Sequence, residues 1–158
     1  MKKFAAVVMI GFVFFFAVSS STGFAMDEKE RAEITGTVNA LMNDIISAAE
    51  QGDVEKTFEN LSREGDALYY LNDKSYDAPA LLEFFKKEFA GMKSQKIEPA
   101  QSRVVVFSPD AAAWIANGSG YTVDLSGNQA PFSFTETWIL QKIGGKWCVT
   151  HYHESVKE

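Results

Sequence analysis

Residues 132–156 read FSFTETWILQKIGGKWCVTHYHESV, two β-branched and aromatic runs separated by Gly144-Gly145. A two-residue connection with glycine at both central positions is the signature of a tight hairpin, because both positions need positive φ. Pairing Ile143 with Lys146 then places Leu140 opposite Val149, Trp138 opposite His151, Glu136 opposite His153 and Phe134 opposite Ser155. Strand alternation puts these residues on one face together with Trp147, and Thr135, Thr137, Ile139, Cys148, Thr150 and Tyr152 on the other. On this uniform register the chain's two histidines share a face with a carboxylate and two tryptophans.

Upstream, the same kind of reading gives three more strands. Arg103 to Phe107 is apolar and β-branched, and Ser108-Pro109-Asp110 turns it into a strand over Ala111 to Val123. Gly118 and Gly120 inside that strand indicate a bulge or bend, and Ser126-Gly127-Asn128 turns the chain again. Ala67 to Leu71 is a further short strand. Before Pro99 the period is otherwise helical. Ile34, Val38, Leu41, Ile45 and Ala49 make one stripe between Asp27 and Gln51, ended by Gly52, and Asp53 caps a short second helix through about Leu61. Asp77 and Pro79 open a third helix with Leu81, Leu82, Phe85 and Phe89 on its buried side. Helices first and an antiparallel meander afterwards define an α+β domain with the helices on one sheet face.

The N-terminus obeys different rules. Lys2 and Lys3 precede the apolar run Phe4 to Val18, and Gly23-Phe24-Ala25 places small residues three and one before a cut after Ala25. This is the pattern of a cleaved secretory signal peptide, and the apolar run is shorter than the roughly 20 residues that span a bilayer. The expected product is periplasmic or secreted, with no membrane association after cleavage. Taking residues 1–25 and their two lysines from 158 residues and a net charge of −6 leaves 133 residues at −8, one domain over 26–158. An acidic chain of this kind excludes nucleic acid as a partner, which requires clustered positive charge. Cys148 is the single cysteine, so no internal disulfide forms and packing alone must stabilise the fold.

The candidate site follows from the hairpin. A carboxylate beside an imidazole orients the ring and raises its pKa, which assigns His153, with His151 as the alternative, as a catalytic base and Glu136 as its partner. The competing reading is a structural Glu–His pair at a sheet edge. Two histidines and Glu136 lack a third strong ligand, so no metal is expected, and no cofactor motif is present. Trp114, Trp138, Trp147, Tyr70 and Tyr121 are the candidate ligand-binding aromatics.

Thr135-Glu136-Thr137-Trp138, Gly145-Lys146-Trp147 and His151-Tyr152-His153-Glu154-Ser155 together resemble the closing signature of the nuclear transport factor two-like superfamily. The SnoaL-like branch and the association domain of calmodulin-dependent kinases are most similar, and Gly52-Asp53 and Asp66 fit the same pattern. The resemblance implies a cone: a strongly curved antiparallel sheet packed around three N-terminal helices, enclosing a pocket, with a homodimer formed through the outer sheet face. It implies no activity, because the acid–base motifs of the family's isomerases and cyclases have no residue-by-residue match here. Three functions compete: a module binding a small, largely apolar ligand, which is favoured; an isomerase, cyclase or hydrolase using the Glu–His pair; and a dimerisation domain with a vestigial pocket.

Overall fold

The computed structural model describes residues 26–64 and 67–157. The expected signal peptide and its expected cut after Ala25 lie outside the described residues, as do Gly65 and Asp66. Helix α1 (Glu28–Glu50) starts where the Asp27 carboxylate accepts the Glu30 N–H, with Glu28 and Glu30 at the positive end of the helix dipole. Gly52 then turns the chain at φ 72°, and Asp53 caps the one-turn helix α2 (Val54–Thr57), shorter than the sequence suggests. Helix α3 (Ala78–Ala90) is capped by Asp77 and has proline in its first turn.

Strands β1 (Leu68–Leu71), β2 (Lys74–Tyr76), β3 (Met92–Ser108), β4 (Ala111–Asp124), β5 (Gln129–Ile143) and β6 (Lys146–Lys157) form one curved, unclosed sheet in the order β2-β1-β6-β5-β4-β3. Two expectations are corrected here. The sheet is mixed, because β1 runs parallel to β6. Strand β3 also begins well before Pro99. As an edge strand it tolerates a proline, and the register shifts between Pro99 and Gln101 absorb the missing donor.

The third correction decides the site. The hairpin turn is as expected, with Gly144 and Gly145 at φ 58° and 83°, and Leu140 does oppose Val149. Beyond that pair a bulge intervenes: Ile139 opposes His151, Trp138 opposes Tyr152, Thr137 opposes His153 and Glu136 opposes Glu154. Thr150 is the extra residue, so the parity of β6 reverses behind it. The bulge sits where a second segment grips the strand. Val149 donates its N–H to Asn60 and accepts from Ser62, both at 2.8 Å, and the buried Tyr69 hydroxyl donates to the Ser62 and Val149 carbonyls.

Helix α1 packs on β3 and β4, and α3 reaches across β1, β2 and β3. The core is continuous from Ile34, Val38 and Met42 on α1 to Trp114, Trp138, Leu140 and Val149 on the sheet. Of the expected α3 stripe only Leu81 is fully buried, while Phe85 and Phe89 are half-buried. Both line a cavity, and Phe85 also packs on Phe58, with ring centroids 4.7 Å apart.

Candidate functional site

The cavity occupies about 280 Å³ between α1, α3 and the inner face of the sheet. Its walls are mainly apolar: Met42, Ile45 and Ala49 from α1, Phe84, Phe85 and Phe89 from α3, and Phe132 and Phe134 from β5. Glycine makes room for the last two. Phe132 opposes Gly120 and Phe134 opposes Gly118 across β4–β5, and a Cβ at either glycine would press into the opposing ring.

Into this apolar space β5 and β6 project two carboxyl groups. Glu136 and Glu154 are directly opposed across the strands, which brings their Cβ atoms within about 5 Å. Each is held by an aromatic donor two residues away along its own strand. The Trp138 indole N–H donates to Glu136 Oε2 at 2.6 Å, and the Tyr152 hydroxyl donates to Glu154 Oε2. The rings of the two donors pack against each other at a tilt of 43°, with centroids 4.2 Å apart. Asn72, at φ 53° in the β1–β2 turn, fixes the far end of the site: its N–H donates to the Glu154 carbonyl, and its Oδ1 accepts the Val156 N–H, both at 2.8 Å.

The electrostatics are one-sided. Among the described residues the cavity wall contains Glu88, Glu136 and Glu154 and no lysine, arginine or histidine. Burial, followed by the charge of Glu154, pushes the Glu136 carboxyl up to about 8, and burial also raises Glu154. Burial and both carboxylates hold the Tyr152 phenol well above its ordinary value, so it stays a hydrogen-bond donor. The arrangement amounts to two acids that do not both ionise near neutral pH.

Of the residues marked in the sequence, Glu136 and Trp138 line the cavity. His151 and His153 do not. The reversed parity turns them to the outer face, where both rings flank Tyr70, at 5.9 and 6.1 Å between centroids. The expected Glu136–His153 pair is therefore not formed, and Glu136 faces Glu154 instead. Trp114 belongs to the packed core, Tyr121 lies outside the cavity wall, and Trp147 lies under the Lys142 ammonium, 5.1 Å from its ring centre. Glu154, Tyr152 and the phenylalanine walls were missed. A signal for the first two exists: apolar parity in β6 is odd at Trp147 and Val149 but even at Tyr152 and Val156, which requires a bulge between them. Among the described residues no cluster of three or more metal-ligating side chains occurs.

A family model described as SnoaL-like domain matches residues 38–157. No curated protein matches the chain. Solved structures share its fold at low identity. A nuclear transport factor 2 (NTF2-like) superfamily protein from Salmonella enterica serovar Typhimurium superposes with a TM-score of 0.71 at 12% identity, covering 79% of this chain and 92% of that one. Hexachlorocyclohexane dehydrochlorinase LinA-type3 from Novosphingobium barchaimii gives 0.69 at 10%, covering 84% and 92%. A protein from Xanthomonas campestris, provisionally described as a calcium/calmodulin-dependent protein kinase II association domain, gives 0.66 at 18%, covering 77% and 86%. At these identities the likeness concerns the fold alone.

Proposed function

The chain belongs to the SnoaL-like domain family, and from that premise we propose that it binds a small, largely apolar molecule in the cone, with the ligand's polar end against Glu136 and Glu154. The observation that carries this reading is the 280 Å³ aromatic cavity with two buried carboxyl groups in its wall. An apolar, aromatic-walled cavity of this size with a few polar groups in its wall is the usual setting of a small-molecule site. Native mass spectrometry of the protein purified from an exporting host tests it. A small-molecule adduct is expected, and Ala130→Trp, which narrows the exposed rim of the cavity, should abolish it. An adduct that survives Ala130→Trp, or none in either protein, refutes the reading.

One observation supports a second reading, an acid–base enzyme. A carboxyl poised near 8 beside a second carboxyl lets the pair share one proton, so that one group can donate it while the other accepts one at the pH of most reactions. The dehydrochlorinase among the structural relatives makes an elimination a reasonable reaction class to assay. In this reading Glu136 and Glu154 replace the Glu–His pair as the catalytic groups, and His151 and His153 stand outside the chemistry.

Export after cleavage behind Ala25 is proposed on the N-terminal pattern. Dimerisation through the outer sheet face is proposed on the exposed Leu68, Phe107 and Ile115. Intact-mass and sedimentation analysis of the exported protein should give the mass of residues 26–158 and, in solution, twice that mass.

A further inference from the structure

The carboxyl pair lacks a counter-charge. Glu136 is only 8% exposed, and among the described residues its one hydrogen-bond donor is the Trp138 indole, on Oε2. The Tyr152 hydroxyl likewise occupies Oε2 of Glu154, and no donor from the described residues reaches the second oxygen of either carboxyl. No fully buried side-chain oxygen or nitrogen among the described residues lacks a partner. The free oxygens therefore open onto the cavity that both residues line. A desolvated carboxyl takes a proton unless a cation or dense hydrogen bonding stabilises its charge, and among the described residues this wall supplies no cation. The same cavity wall carries the aromatic rings of Phe85, Phe132, Phe134, Trp138 and Tyr152, and aromatic π-faces attract positive charge and repel negative charge.

We propose that the ligand is a hydrophobic amine, bound as its ammonium ion with its N–H groups on the free oxygens of Glu136 and Glu154 and its apolar body among the phenylalanines. This rests on the pocket reading above and specifies the ligand class for it. The ammonium supplies three donors and one positive charge, which match two acceptors and an unbalanced acid pair. Uptake of the cation also favours ionisation of Glu136, so a proton leaves for solvent as the ligand enters. The other ionisable groups in the wall are Glu88 and the phenol of Tyr152. Glu88 is exposed, and Tyr152 stays protonated.

Isothermal titration of the mature protein with three probes that share a phenylalkyl body decides the point: 2-phenylethylammonium, 2-phenylethanol and 3-phenylpropanoate. The ammonium should bind on the order of tenfold tighter than the alcohol, and the propanoate weakest. In two buffers of different ionisation enthalpy at pH 7.5, the apparent heats should differ by the release of part of one proton. In Glu154→Gln the preference for the ammonium over the alcohol should vanish while alcohol binding persists. If that variant does not fold, the wild-type ranking alone decides. Alcohol or propanoate binding as tightly as the ammonium overturns the amine proposal and leaves the pocket reading standing. If none of the three binds, the pocket reading falls, and the amine proposal falls with it.

Discussion

Glu136→Gln should melt at a higher temperature than the wild-type protein at pH 8, by roughly 10 °C, and within about 2 °C of it at pH 4.5. The folded protein holds the Glu136 carboxyl at about 8, against 4.5 for the free side chain. Between these values the folded state keeps a proton that the unfolded chain has released. Stability is therefore fully present below the lower value and falls as pH rises, by about 1.4 kcal/mol per pH unit. Across the whole window the loss is roughly 3–5 kcal/mol, part of it shared with Glu154. Glutamine copies the protonated carboxyl, since its amide oxygen still accepts the Trp138 indole N–H, and it has no proton to lose. Thermal melts of both proteins from pH 4.5 to 8.5 check this, and parallel curves would show that Glu136 ionises freely. Ligand affinity altered in the variant with no turnover in either protein would fit the binding reading, and turnover lost while stability rises would fit the enzyme.

The second large effect concerns a residue with no side chain. Gly120→Ala should destabilise the protein by about 1–3 kcal/mol and lower its melting temperature by several degrees. The added Cβ would lie 2.5 Å from the Phe132 ring and would also meet the Lys96 carbonyl on β3. The carbonyl belongs to a strand fixed by its own ladder, and the ring that would have to give way lines the cavity. Denaturant unfolding measures the cost. The apolar probe that binds the wild-type protein should also weaken, because the displaced ring occupies its space. Gly36→Ala on the exposed side of α1, where a Cβ meets nothing within 4 Å, is the control and should be neutral or stabilising.

Most of the fold was legible because its signals are local. Asp27, Asp53 and Asp77 each cap the helix that their position announces, and Gly144-Gly145 turns the hairpin as two glycines dictate. The site was less legible because it depends on one non-local fact. A uniform register assigned the inner face of β6 to His151 and His153, and a single extra residue gave it to Tyr152 and Glu154. What fixes that residue is Asn60 and Ser62 gripping Val149 from a segment almost 90 positions away, which periodicity within the strand does not report. The phenylalanines of α3 were assigned to the core for a related reason. An apolar stripe looks the same whether it faces side chains or empty volume.

The bulge at Thr150 carries a consequence for how such a cone acquires new chemistry. β6 carries two sets of reagents in alternation, the Tyr152 and Glu154 pair on one side and the imidazoles of His151 and His153 on the other. Insertion or loss of one residue behind Val149 would exchange the sets while leaving every wall residue of α1, α3 and β5 in place. One scaffold can thus turn acids or imidazoles into the same apolar cavity, separated by a single indel rather than by stepwise replacement of side chains.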